Sequence, residues 1–161
     1  MKKLSDEYYV PVSYELAEKL YRLGFCVGTP QCITRYDSDF VYDGDPEHPE
    51  SHRKGDIRMY DFYHKNSADE PGLFECPTVE MLSAWLLLEH SIHVSSNPHQ
   101  KDDKSWEWYY IIMSLDKDMV ENRDSRYFGT RIQATLAGIC EAVDKLLRRK
   151  LKGDEHPEHF Y

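Results

Sequence analysis

The chain has few cysteines, and none of the four (Cys26, Cys32, Cys76, Cys140) stands in a C-x-x-C pair. These spacings give neither a disulfide framework nor a zinc signature. Long hydrophobic runs are also missing. The longest, Ala84–Leu88 and Trp108–Met113, fall far short of the roughly 20 residues that a membrane-crossing helix needs. The opening MKKLSDEYYV has two lysines but no apolar stretch behind them, so it does not read as a secretory signal. The expected compartment is the cytoplasm. Positive charge is scarce: 20 Lys and Arg against 29 Asp and Glu leave a net −9. That balance opposes non-specific nucleic-acid binding, which depends on cations neutralising phosphates. The nucleophile elbow G-x-S-x-G, the phosphate loop G-x-x-x-x-G-K-[ST] and the dinucleotide fingerprint G-x-G-x-x-G are all absent.

What is present is a globular composition. Hydrophobic residues make up 40% of the chain and aromatics 13%, including 12 tyrosines and three tryptophans. A chain of 161 residues suits one domain, and about 70% of its unfolded surface can be buried without a disulfide or a metal. The reading is a single domain over residues 1–152, with a charged C-terminal tail at 153–161.

Local signals place the elements. In 13–23, SYELAEKLYRL, Ser13 caps a helix whose Leu16, Leu20 and Leu23 share a face, and Gly24 provides its left-handed stop. Residues 31–42 read as extended, with a possible hairpin, and 57–64 as a strand. Segments 43–56 and 65–77 read as loops, the second turning at Pro71-Gly72. Thr78 caps a helix over 79–91 with an apolar stripe of Met81, Leu82, Trp85, Leu86 and Leu88. Ile92–Ser95 starts a strand, and 96–105 reads as a turn. The segment 106–115, WEWYYIIMSL, is apolar on both faces and therefore a central strand. A short strand near 125–128 follows. Thr130 and Gln133 make a T-x-x-Q box that opens a helix running to about 151, ended by Gly153. Gly138 sits inside this helix, a position that implies close approach of a neighbouring element. The fold class is α+β: a mostly antiparallel sheet with about three helices packed mainly on one face.

Candidate chemistry is weak throughout. GDPEHPE at 44–50 and GDEHPE at 153–158 set carboxylates beside imidazoles, but prolines break the first and the second lies in the tail. His48 and His52 would share an ion only if their loop folded around it, so solvated segments are the better reading. His90 and His93 are three apart without H-E-x-x-H, and they fall on different elements. Asp37, Asp39, Asp43 and Asp45 miss the calcium-loop spacing, since Val41 and Tyr42 occupy its fifth and sixth positions. Asp102-Asp103-Lys104 contains a D-x-K in a turn, with no acidic partner upstream. Tyr60 and His64 share one strand face while Asp61 points to the other. Lys145, Arg148, Arg149, Lys150 and Lys152 form a basic helix end that the helix dipole favours. The order helix, strands, helix over 78–151 is that of a double-stranded-RNA-binding domain, yet its last helix opens TRIQATLAG with one arginine. No catalytic, cofactor-binding or metal residue is assigned, and no cofactor is expected.

The segments ending L-G-F, then PTVEMLSAWLLLEHSIHV, WYYIIMSL and YFGTRIQATLAGICEAVDKLL, resemble a family of uncharacterised proteins from prophages and mobile elements of gut bacteria. The likeness covers about 78–150, and 13–36 loosely. Its motifs are a cap, a core tryptophan and a helix face. The resemblance implies no activity and carries over no functional residue. The expectation is a small non-enzymatic accessory or interaction protein, with a protein partner and without nucleic acid or membrane. The alternatives are a nucleic-acid module using the basic helix end and an enzyme whose site is assembled from distant residues.

Overall fold

The computed structural model describes residues 12–29, 31–34, 38–40, 50–52, 57–59, 73–115, 120–123 and 126–155. Asp37, Asp43, Asp45, His48, Tyr60, Asp61, His64 and the tail beyond 155 lie outside them, as does most of the 43–56 loop. The fold is α+β, and every described strand pairing is antiparallel. Contacts gather into two compact units that divide at Pro77 and Thr78, where composition alone reads one domain.

The first unit begins with helix α1, Tyr14–Arg22. The Ser13 hydroxyl accepts from the Leu16 N–H at 3.2 Å, so the predicted cap is in place. Gly24 takes φ +81°, and the Phe25 N–H returns to the Leu20 carbonyl at 3.0 Å. Leu16, Ala17 and Leu20 are buried. Strands β1 (Gln31–Thr34), β2 (Ser38–Phe40), β3 (Glu50–His52), β4 (Ile57–Met59) and β5 (Leu73–Glu75) follow. β1 lies between β4 and β5, and β2 pairs with β3. The hairpin expected within 31–42 is therefore not formed, because each half takes a partner further along the chain. β5 falls in the stretch read as a loop; three residues are too few to show an alternation. Phe74 of β5 is buried and touched by the rings of Tyr14 and Tyr21, 5.5 and 5.4 Å away.

Next to Phe74, Glu75 is buried as well. Its Oε1 accepts from the N–H groups of Gly28, at 2.6 Å, and Thr29, at 3.2 Å. Gly28 reaches this geometry at φ +82°. Thr29 Oγ1 in turn accepts from the Cys76 N–H at 3.2 Å. Glu75 Oε2 has no hydrogen-bond partner. Ala17, Leu20, Tyr21 and Phe25 line a gap beside Glu75 too narrow to admit water.

The second unit holds helix α2 (Val79–His90), strands β6 (Ile92–Gln100), β7 (Trp106–Ser114) and β8 (Val120–Arg123), and helix α3 (Arg131–Glu155). β7 is central, in the order β6-β7-β8, as its two apolar faces predict. Thr78 and Thr130 cap the helices, each hydroxyl accepting from an N–H three residues on at 3.2 Å. Leu82, Trp85 and Leu86 form the buried face of α2. Leu88, placed in that stripe from the sequence, is 80% exposed; it lies about 100° around the helix from the buried face. Trp106, at the far end of the strand read as apolar on both faces, is 57% exposed. β6 extends to Gln100 and takes up half of the expected turn, with Pro98 inside it. α3 passes the expected stop at Gly153 and runs to Glu155, so the tail begins later than residue 153. Glycine costs a helix only about 1 kcal/mol, and Gly153 adopts no positive φ.

α3 lies along the face of the sheet that carries Val94, Tyr110 and Ile112, and α2 packs against β6 and α3. Gly138 makes this approach possible. A Cβ there would stand 2.7 Å from Val94 Cγ1 and 3.0 Å from the Tyr110 ring. The close neighbour expected at Gly138 is thus the sheet itself.

Candidate functional site

The second unit has one long strand at the margin of its sheet. The register Ile92↔Ser114 through Gln100↔Trp106 joins β6 to β7 over nine residue pairs. The Leu115 N–H donates to the Ser91 carbonyl at 2.8 Å, and the Lys101 N–H to the Ser105 carbonyl at 2.9 Å. In an antiparallel ladder these bonds fix the alternation. Odd-numbered residues of β6 turn their N–H and C=O toward β7. Val94 and Ser96 turn theirs outward, and Pro98 offers a carbonyl only. Among the described residues, β6 pairs with no other strand.

Beside this margin lies a groove of about 750 Å³. Its walls are the first turns of α2 (Val79, Glu80, Ser83) and of α3 (Gly129, Thr130, Arg131, Ile132, Thr135), and its floor is His93, Val94, Ser95 and Trp108. The lining mixes aliphatic and indole surface with hydroxyls and with the ionisable side chains of Glu80, His93 and Arg131. Thr135 Oγ1 sits 2.9 Å from Ser96 Oγ and 3.0 Å from the Arg131 carbonyl, which ties α3 to the strand at the groove's edge.

Deeper between helix and sheet, the fully buried Tyr110 donates its hydroxyl to Glu141 Oε2. Arg126 Nη2 donates to the same phenol oxygen at 3.2 Å, and Lys145 Nζ lies 3.1 Å from Glu141 Oε1. This polar chain fastens α3 to β7. On the opposite face of the sheet, the ring of Tyr127 lies 5.1 Å from His99 and 6.2 Å from Tyr109.

Among the described residues, those singled out from sequence do not converge. His90 ends α2 with its ring 4.6 Å from Trp85, whereas His93 lies on β6. Burial holds the His90 imidazole below its ordinary value of 6.5, against an upward pull from Glu89. Asp102-Asp103-Lys104 forms the β6–β7 turn. Asp103 Oδ1 accepts from the Ser105 N–H at 2.9 Å and hydroxyl at 2.5 Å, and these bonds lower its pKa. Its carboxylate shapes the turn. Arg148, Arg149, Lys150 and Lys152 are exposed on the last turns of α3. Cys26, Cys76 and Cys140 form no disulfide. Among the described residues, no three His, Cys, Asp or Glu side chains gather as a metal site would require, and no helix is long and apolar enough to cross a membrane.

Two features escaped the sequence. One is the place of β6 at the margin of its sheet among the described residues, for which Pro98 was the available signal, since proline within a strand marks an edge. The other is the burial of Glu75, which has no local signature. The chain matches no profile of a known family, no curated protein and no solved structure.

Proposed function

We propose that this protein is a small non-enzymatic interaction module, acting in the cytoplasm as an accessory protein of a prophage or mobile element. The observation that carries the reading is the groove beside β6. Its lining sets the hydroxyls of Ser83, Ser95, Thr130 and Thr135 beside the ionisable Glu80, His93 and Arg131, a mixture that suits recognition, and its apolar walls give contact area. The polar groups elsewhere in the unit hold the fold together, as Tyr110, Glu141 and Arg126 do. The prophage assignment rests on the resemblance of residues 78–150 to that family. The test is affinity capture of the tagged chain from lysate of its source cells, with and without nuclease. A stoichiometric protein that survives nuclease is the expected result. A turnover activity that depends on one named side chain would overturn the reading.

A second reading, nucleic-acid binding, has one observation in its favour. The order α2-β6-β7-β8-α3, with both helices packed on a three-stranded sheet, is that of double-stranded-RNA-binding domains. Residues 78–155 carry eleven Lys and Arg against thirteen Asp and Glu, so most of the chain's net −9 lies outside this unit. The exposed cations, however, sit at the end of α3 rather than its start. A salt-dependent shift of labelled duplex RNA, abolished by Arg148→Gln with Arg149→Gln, would favour this reading over the first.

A further inference from the structure

Building on the interaction reading, we infer that the exposed cationic face near the end of α3 is the docking surface for a short acidic segment of a partner protein. Lys145, Arg148, Arg149 and Lys152 stand at i, i+3, i+4 and i+7, so they share one side of the helix over about 10 Å. Arg148, Arg149 and Lys152 are exposed, and among the described residues none of the three makes an ion pair. Other cations of the chain sit against carboxylates. Lys19 Nζ lies 2.9 Å from Glu15 Oε1, Arg22 Nη2 3.3 Å from Glu18 Oε1 and Lys101 Nζ 3.6 Å from Glu107 Oε2.

The helix dipole does not account for the stripe. Its attraction for cations fades within the last turn. α3 runs on to Glu155, and of the four only Lys152 lies in that turn. Within the stripe, Lys145 with Arg149 and Arg148 with Lys152 are like-charged i, i+4 pairs, which oppose the helix. Glu141 takes up Lys145, at 3.1 Å. A chain of net −9 thus gathers uncompensated positive charge on one helix face, and an anionic partner relieves the repulsion. Carboxylates fit this face better than a phosphate polymer does. Nucleic acid is held by the summed neutralisation of many phosphates, and four cations on an acidic chain supply little of it. Guanidinium groups pair with carboxylates through two parallel hydrogen bonds, and Arg148 and Arg149 offer two such forks side by side. Leu151, 55% exposed between Lys150 and Lys152, adds apolar surface that suits a protein side chain.

The test uses the full-length chain and a phage-displayed library of random 12-residue peptides, with the Arg148→Gln, Arg149→Gln double variant present as competitor. The expected selection is rich in Asp and Glu. A selected peptide, synthesised and labelled, binds wild type with an affinity that falls as salt rises. The double variant binds it about tenfold or more weakly, and Arg148→Lys with Arg149→Lys, which keeps the charge but not the fork, loses less. Leu151→Ser weakens binding about threefold. The glutamine variant melts no lower than wild type, because it removes repulsion from exposed positions. An analogue of the peptide with Gln in place of every Glu and Asn in place of every Asp does not bind, which tests the charge without altering the chain. The assignment is overturned if the selected peptides show no acidic enrichment, if the glutamine variant or the neutral analogue binds as the originals do, if a short RNA duplex binds the stripe more tightly than the peptide at the same salt, or if the stripe instead joins copies of the chain to each other. A lysate partner captured equally by wild type and the glutamine variant would leave the interaction reading standing and remove only the assignment to α3.

Discussion

The hydroxyl of Tyr110, on the central strand of the second unit, donates to the carboxylate of Glu141 on the helix above it, and Arg126 donates to the same phenol oxygen. The ring is fully buried. This bond ties helix α3 to strand β7. Tyr110→Phe keeps the ring and removes the hydroxyl. Because Glu141 is partly exposed and water can replace the lost donor, the expected cost is about 1–2 kcal/mol, read from urea denaturation followed by tryptophan fluorescence.

Gly138 works by steric fit. Gly138→Ala gains about 1 kcal/mol of helix propensity but sets a methyl 2.7 Å from Val94 Cγ1. Overpacking of this kind costs about 1–3 kcal/mol, so the net change is destabilising. Val94→Ala opens space at the same contact. The double variant should therefore be more stable than the sum of the two single changes predicts, by about 1 kcal/mol. A thermodynamic cycle from denaturant midpoints measures that coupling.

Glu75 holds two backbone N–H groups through one oxygen and leaves the other without a partner. Glu75→Ala strands both donors, at a cost of about 2–4 kcal/mol. Glu75→Gln keeps an acceptor for them, so its cost should be within about 1 kcal/mol. Amide exchange at Gly28 and Thr29 separates the two cases. It should rise steeply in the alanine variant and little in the glutamine variant.

His90 gives the second unit a dependence on pH. Its folded-state pKa is depressed by burial, so below the ordinary value of 6.5 the unfolded chain binds more protons than the folded one. Stability is therefore complete above that value and falls as pH drops through it toward the lower folded value. His90→Gln should flatten this stretch of the profile. Melting temperatures measured in steps from pH 8 to pH 5, about one unit apart, would show the difference.

Much of the scaffold was legible from short-range signals. The caps at Ser13, Thr78 and Thr130, the left-handed stop at Gly24, the central position of 106–115 and the close approach at Gly138 were all read from the chain. Each depends on residues a few positions apart, or on the known restriction of one residue type. The candidate site was not legible in the same way. Its walls come from the first turns of two helices more than 45 residues apart in sequence, and its floor from two strands between them. No local spacing encodes that meeting.

The same division holds across the molecule. By itself the sequence determined where helices begin, which strand is apolar on both faces and which chemistries lack their motifs, because backbone preference and periodicity act over a turn or a few residues. Only the tertiary structure decided that β1 pairs with β4 and β5 rather than β2, that Leu88 and Trp106 face solvent, that Glu75 reaches back to Gly28 and Thr29, and that β6 stands at the margin of its sheet among the described residues. Those outcomes depend on which distant surfaces close against each other, and burial there is shared among elements that no stretch of sequence contains alone.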